Sequence, residues 1–130
     1  ILIIMASVSD AQAAELMETA EKWDLDVLFE VHNREELERT VPLEPKLVGI
    51  NNRDLHSFET TLDTTRKLSK FAPTESLLVS ESGLSTPADL ADLARYGARC
   101  FLIGESLMRQ EDVTTATRTL LADPLLARGR

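Results

Sequence analysis

Apolar and polar positions alternate along this chain in a long period: five apolar runs recur about 20 to 30 residues apart, and most end in a polar cluster. The runs are Ile1–Ser7, Val27–Val31, Leu47–Asn51, Leu77–Glu81 and Cys100–Ile103. Each is strand-like in length and composition, and each is followed by sequence with helical signals. Ser9 and Asp10 stand before Ala11–Trp23, where Ala13, Leu16, Met17 and Ala20 fall at helical spacing. Asn33 caps a second helix, Arg34–Val41, and Pro42 and Pro45 close it. A third is predicted over Leu62–Phe71, stopped by Ala72 and Pro73. Thr86 followed by Pro87 is a clean start for the fourth, and Gly97 suits its C-terminal cap. Asp112 to Leu121 reads as the last helix, and Pro124 with Arg128, Gly129 and Arg130 as a frayed tail.

Strand and helix therefore alternate through one predicted domain, residues 1–130, with no linker, which implies parallel strands joined by right-handed crossovers. That order fits an open doubly wound sheet or an incomplete (β/α)8 TIM barrel. No G-x-G-x-x-G follows an early strand, and polar residues stand at most strand ends instead of one switch point, so the barrel is favoured. A closed barrel takes about 250 residues, whereas this chain has 130. Ile1 opens inside a strand pattern without a cap or polar leader, and the expectation is about five β-α units of a barrel.

Charge and composition then narrow the partners. A net charge of −8 argues against a nucleic-acid surface, which needs clustered Lys and Arg. No run reaches the roughly 18 apolar residues of a membrane span, and the start lacks the flanks of a signal peptide. The single cysteine, Cys100, allows no internal disulfide and fits a reducing cytoplasm; inside an apolar run it is read as a packed thiol, not a nucleophile.

Candidate chemistry sits at the ends of the runs. Glu30 closes Leu28-Phe29-Glu30-Val31-His32, where desolvation would raise a carboxyl toward acid–base usefulness; a surface ion pair is the competing reading. Gly49-Ile50-Asn51-Asn52-Arg53-Asp54-Leu55 sets two amides, a guanidinium and a carboxylate in a row. A turn uses Asn and Asp similarly, but Arg53 adds the fork that grips carboxylate or phosphate. Ser82-Gly83 and Gly104-Glu105-Ser106 follow the last two strands, where glycines let backbone N–H groups approach an anion and a short helix starting near Glu105 aims its positive end at it.

Together, Leu28–His32, Gly49–Leu55, Ser80–Gly83 and Phe101–Arg109 resemble, in order and spacing, the later strands of the indole-3-glycerol phosphate synthase family. The similarity spans essentially the whole chain, from a strand four to the last helix. The resemblance implies a cytoplasmic carbon–carbon lyase (a carboxy-lyase) of tryptophan biosynthesis. Such an enzyme closes the indole ring of 1-(2-carboxyphenylamino)-1-deoxyribulose 5-phosphate with loss of carbon dioxide and water, using no metal or organic cofactor. Carried over, Glu30 is the proton acceptor or charge stabiliser and Asn51 the amide that orients substrate, while Arg53 faces the substrate carboxylate. Glu81 is a polar contact, and Ser82, Gly83, Gly104 and Glu105 form the phosphate cup, Glu105 through its N–H with its side chain outward.

The family's Glu, Ser and two Lys of strands one to three would lie upstream of Ile1. The chain alone is thus expected to be inactive, and to need the missing N-terminal half of the barrel or to self-associate. Lys22, Lys46, Lys67 and Lys70 fall on the wrong side of the strands to replace those lysines, His32 is expected to point outward, and His56 sits in a loop. A related phosphate-binding barrel such as phosphoribosylanthranilate isomerase would share the cradle without the Asn51 and Arg53 clamp. A non-catalytic half-barrel binding module is the other alternative.

Overall fold

The computed structural model describes residues 1–122, so the tail around Pro124 and Arg128 lies outside the described residues. Parallel strands in the order β1-β2-β3-β4-β5 form one five-stranded sheet: β1 (Leu2–Ile4), β2 (Leu28–Val31), β3 (Leu47–Asn51), β4 (Leu77–Glu81) and β5 (Cys100–Leu102). Sequence order equals spatial order, as expected when each strand returns beside its predecessor through one helical crossover. The helices are α1 (Asp10–Lys22), α2 (Arg34–Thr40), α3 (Asp63–Leu68), α4 (Pro87–Arg95), α5 (Glu105–Met108) and α6 (Val113–Leu120).

Local capping explains where the helices begin. Ser9 and Gln12 exchange hydrogen bonds as a capping box at α1, and Thr86 and Asp89 do the same at α4 with Pro87 in the first turn. Asn33 accepts from the Glu36 N–H at the start of α2, and Asp112 accepts from Thr115 at α6. Gly97, at φ 101°, ends α4 in the left-handed conformation that glycine adopts without a Cβ penalty.

Register sorts the side chains into rows of opposite facing. Ile3, Phe29, Val48 and Leu78 align in one row, and Val31, Ile50, Ser80 and Phe101 in another; Ile3, Phe29, Val31, Val48, Ile50 and Leu78 build the main buried cluster with Ala13, Leu37 and Leu68 from the helices. A smaller cluster of Leu84, Leu93 and Ala98 packs against Phe101 and Ile103. The opposite face carries the rows Leu2-Leu28-Leu47-Leu77, Ile4-Glu30-Gly49-Val79-Cys100 and Asn51-Glu81-Leu102. There Leu2, Leu77 and Leu102 are 47%, 40% and 52% exposed, so this face is apolar at its base, acidic at its C-terminal end and uncovered by the described chain.

Some boundaries depart from the sequence expectation, for identifiable reasons. β1 stops at Ile4 because Met5–Ser7 turns into a single 3-10 turn; the Arg39 guanidinium donates to the carbonyls of Met5 (2.8 Å) and Val8 (2.6 Å), anchoring that turn to α2. α3 ends at Leu68 and continues only as a 3-10 turn, Ser69–Phe71, ahead of Pro73. Val27 and Ile103 fall outside their strands. Cys100 is only partly buried, because it lies on an edge strand and on the open face.

One buried amide ties the sheet to the helical layer. Asn52, 1% exposed, donates through Nδ2 to Ser80 Oγ and to the Ser82 carbonyl, while its Oδ1 accepts from the Thr65 N–H and hydroxyl. Its own N–H donates to the Glu81 carbonyl at 2.8 Å. Removing the side chain strands several buried partners, each costing about 1–3 kcal/mol. Asn52→Ala should therefore lower unfolding free energy by roughly 2–4 kcal/mol in urea denaturation, whereas a loss under about 0.5 kcal/mol would show that the network carries no such weight.

Candidate functional site

β2, β3 and β4 end side by side, and the rows on the open face deliver their last polar side chains to one place. Glu30, Asn51, Arg53, Glu81, Ser82, Gly83, Gly104 and Glu105, all predicted from sequence, line a single cavity of about 600 Å³ together with Thr60, Ser106 and Arg109. Parallel in-register strands make this convergence automatic, since residues distant in sequence but equal in register finish on the same rim.

Gly49 makes the centre possible. It lies between Glu30 and Val79 in its row, and a Cβ built there would stand 2.2 Å from Glu81 Oε1, so the Glu81 side chain occupies the space that any other residue would fill. Glu30 and Glu81 are 6% and 3% exposed, close enough for their carboxyls to hydrogen-bond. Burial first, then the hydrogen bond to Glu30 and its charge, push Glu81 up to about 8 from an ordinary 4.5. Glu81 therefore keeps its proton at neutral pH.

Around the pair, the polar groups have defined partners. Asn51 Nδ2 donates to Glu30 Oε1 at 3.1 Å, while Asn51 Oδ1 accepts from the Arg53 N–H at 3.0 Å and from the Ser82 hydroxyl at 2.8 Å. Arg53 Nη2 donates to Glu105 Oε2 at 2.7 Å, and Arg109 donates to the other oxygen of the same carboxylate. The Arg53 hydrogen bond, followed by the Arg109 charge, holds the Glu105 carboxyl below its usual range. Sequence set Arg53 toward a substrate carboxylate and the Glu105 side chain outward; in the structure the two side chains meet at the cavity wall, both about half exposed.

The two glycine turns differ in physical character. Ser82 and Gly83 have φ of 70° and 75°, and a Cβ on Gly83 would meet Thr60 Cγ2 at 2.6 Å, so that glycine is demanded by backbone and packing. Gly104 has negative φ, and a Cβ there would meet nothing within 4 Å. Packing among the described residues does not require a glycine at 104, yet its missing side chain widens the cavity beside the first N–H groups of α5.

Sequence reasoning misplaced or missed several residues. Asn52 and Asp54 belong to the scaffold: Asn52 is the buried tie, and Asp54 accepts from the N–H groups of Ser57 and His56, which lower its pKa and shape the loop. His32 does not point outward. Its side chain is 9% exposed, with Nε2 3.3 Å from Glu30 Oε1 and Nδ1 3.2 Å from Glu36 Oε1. Gly49, a glycine inside an apolar strand, is the mark in the sequence of that close approach. Arg109 reaches Glu105 by its i+4 helical spacing. No lysine lines the cavity among the described residues. Nor do the described residues hold a group of three His, Cys, Asp or Glu placed to bind a metal, or a helix long and apolar enough to cross a membrane.

The raised Glu81 carboxyl makes stability depend on pH in a defined direction. The folded state keeps this proton up to about 8 whereas the unfolded chain releases it near 4.5, so the group's contribution is complete below 4.5 and is lost as pH rises toward 8. Glu81→Gln, which stays neutral, should flatten that part of the profile in urea denaturation run across this range. An unchanged slope would remove Glu81 as its source.

Comparison with known proteins identifies the family. The family model for indole-3-glycerol phosphate synthase matches residues 1–120. The chain is 58% identical over 122 residues to the indole-3-glycerol phosphate synthase of Azospirillum brasilense, covering 94% of this chain and 47% of that protein. It is 48% identical over 122 residues to that of Rhodospirillum rubrum, covering 93% and 46%. The chain thus spans about half the length of the curated relatives it matches. Among solved structures, a native KDPGal structure superposes with TM-score 0.64 at 16% identity (98% of this chain, 58% of that one), and the Amycolatopsis orientalis BexX/CysO complex with TM-score 0.62 at 14% (86% and 46%). The likeness to part of each of these chains bears on the fold: this chain is a partial (β/α)8 barrel of five parallel β-α units. Sequence and fold together place this chain in the indole-3-glycerol phosphate synthase family.

Proposed function

We propose that the protein carrying this chain is an indole-3-glycerol phosphate synthase of tryptophan biosynthesis, a cytoplasmic carboxy-lyase that closes an indole ring with loss of carbon dioxide and water. The observation that carries the reading is the single cavity lined by both a buried carboxyl pair, Glu30 and Glu81, and the two glycine turns, Ser82-Gly83 and Gly104-Glu105. Glu30 and Glu81 handle the protons exchanged as the ring closes and water leaves. Asn51 holds the Glu30 carboxylate in place through its 3.1 Å hydrogen bond and presents its amide to substrate. Arg53, whose Nη2 donates to Glu105 at the cavity wall, has further N–H donors on its guanidinium to grip the substrate carboxylate. Ser82, Gly83, Gly104 and Glu105 hold the phosphate mainly through backbone N–H groups, a mode that overcomes the −8 net charge locally.

The reaction also needs a general acid at the substrate carbonyl, and the cavity offers no lysine among the described residues. The open apolar face supplies the reason for a partner: the remainder of a barrel, or a second copy of the chain, covers Leu2, Leu77 and Leu102 and the two sheet edges. Converting 1-(2-carboxyphenylamino)-1-deoxyribulose 5-phosphate with a protein of the relatives' length should give indole-glycerol phosphate, with Glu30→Gln lowering kcat by about 10²- to 10⁴-fold. The 130-residue chain by itself should yield none and should sediment as a species larger than 14.4 kDa. Product from the pure chain, or a stable monomer, would contradict this division of labour.

Anion binding is checked separately by titrating inorganic phosphate against amide NMR signals. The Gly83 and Gly104 amides should move first. Gly104→Ala should weaken that response while changing stability by no more than about 0.5 kcal/mol, whereas Gly83→Ala should cost 1 kcal/mol or more because its positive φ and the Thr60 contact both oppose a Cβ. Still amides at tens of millimolar phosphate would place the cup elsewhere.

A further inference from the structure

Ser82, one residue past β4, holds a backbone conformation that a serine adopts only at a cost. Its φ is 70°, in the left-handed region that favours glycine, and Gly83 takes the next position of the turn at 75°. Such strain persists where the surrounding structure over-determines it. Here the Ser82 carbonyl accepts from the buried Asn52 amide at 3.0 Å, and the Ser82 hydroxyl donates to Asn51 Oδ1 at 2.8 Å. Two consecutive asparagines thus grip one serine, Asn52 by its backbone and Asn51 by its side chain.

A third group decides the polarity of this contact. The Arg53 N–H lies 3.0 Å from the same Asn51 atom. A backbone N–H can only donate, so the atom it meets is the amide oxygen, and turning the amide over would set donor against donor. With Oδ1 fixed, the Ser82 hydroxyl gives its one hydrogen to that oxygen. Asn51 Nδ2 is left on the far side, where it donates to Glu30 Oε1 at 3.1 Å. Its other hydrogen remains for a ligand in the cavity that Asn51 lines.

We propose that Ser82 is a positioning residue: its left-handed turn aims a hydroxyl that fixes the direction of the Asn51 amide toward Glu30. The lock makes Asn51 a donor only, so the ligand group it meets is an acceptor, a carbonyl or hydroxyl oxygen. The Ser82 hydroxyl, with its hydrogen committed to Asn51, has only lone pairs to turn toward an anion, and the grip on phosphate at this turn falls to backbone N–H groups. Glycine at 82 would take the turn without strain but could not reach Asn51, which is the physical reason for a serine there.

The inference rests on the proposed place of Asn51 beside Glu30, and a protein of the relatives' length carries its test. By NMR, Ser82→Ala and Ser82→Gly should both shift the Asn51 side-chain NH₂ signals, while the Gly83 and Gly104 amides respond to inorganic phosphate as before. In turnover both should lower kcat by about three- to tenfold, the worth of one hydrogen bond, with KM within about twofold. Ser82→Gly, free of the left-handed penalty, should be at least as stable in urea as Ser82→Ala, so equal losses of kcat follow the hydroxyl and not the fold. In an Asn51→Ala background, Ser82→Ala should lower kcat no further. Unmoved NH₂ signals, a weakened phosphate response, or the full loss repeated in the Asn51→Ala background would overturn the proposal. No turnover by the unsubstituted protein would defeat the reaction assignment alone, because the NH₂ signals read the Ser82 contact without it.

Discussion

The buried amide of Asn52 is the interaction on which the geometry of the site depends. Parallel strands leave their ends free to splay once the ladder stops, and the candidate site is made of residues at or just past those ends. Asn52 prevents this by spending every hydrogen-bonding position it has: its N–H on the end of β4, its side-chain NH₂ on Ser80 and the Ser82 carbonyl, its side-chain oxygen on α3. A fully satisfied amide in a dry interior is directional in a way that packed leucines are not, so it sets the rim's position and not merely its burial. Asn51 on the cavity side and Asn52 on the helix side are consecutive residues with opposite tasks.

With the rim held, the acidic character of the chain becomes workable. A net charge of −8 in a chain of 130 residues means carboxyls must be brought close together, and several line the cavity. The carboxyls closest to the centre are managed individually. Glu105 is neutralised by Arg53 and Arg109, and Glu81 keeps its proton through burial beside Glu30. Crowding two carboxyls together is possible only because Gly49 leaves room above the sheet. The same absence of a side chain thus places the acid and shifts its proton affinity.

Much of this was legible in the chain itself. The five apolar runs, the Thr86-Pro87 start, the Asn33 cap and the order of strands and helices all follow from short-range chemistry, in which a residue's neighbours determine its backbone. The residues of the cavity were legible for a related reason: in a parallel barrel-like sheet the functional rim is a fixed position relative to each strand, so finding the strands finds the rim. What failed locally failed where a distant residue intervened, as at Met5–Ser7, where the guanidinium of Arg39 captures carbonyls that an isolated strand would have left in the ladder.

Roles within the rim depended on tertiary structure, because they rest on pair distances that no spacing along the chain encodes. Asn51 and Asn52 are identical letters side by side, and only the pleat, with one facing Glu30 and the other Thr65, separates a site residue from a structural brace. Arg53 and Glu105 are far apart in sequence and meet only when β3 and β5 close on β4. His32 turned inward because Glu36, one helical turn on, clamps both its backbone and its ring. Sequence by itself determined the alternation of strands and helices and the set of residues at the rim, since both follow from local periodicity. Which of those residues keeps a proton, which bind one another and which merely hold the frame was decided by the fold, because burial and short pair distances between remote residues exist only once the strands are in register.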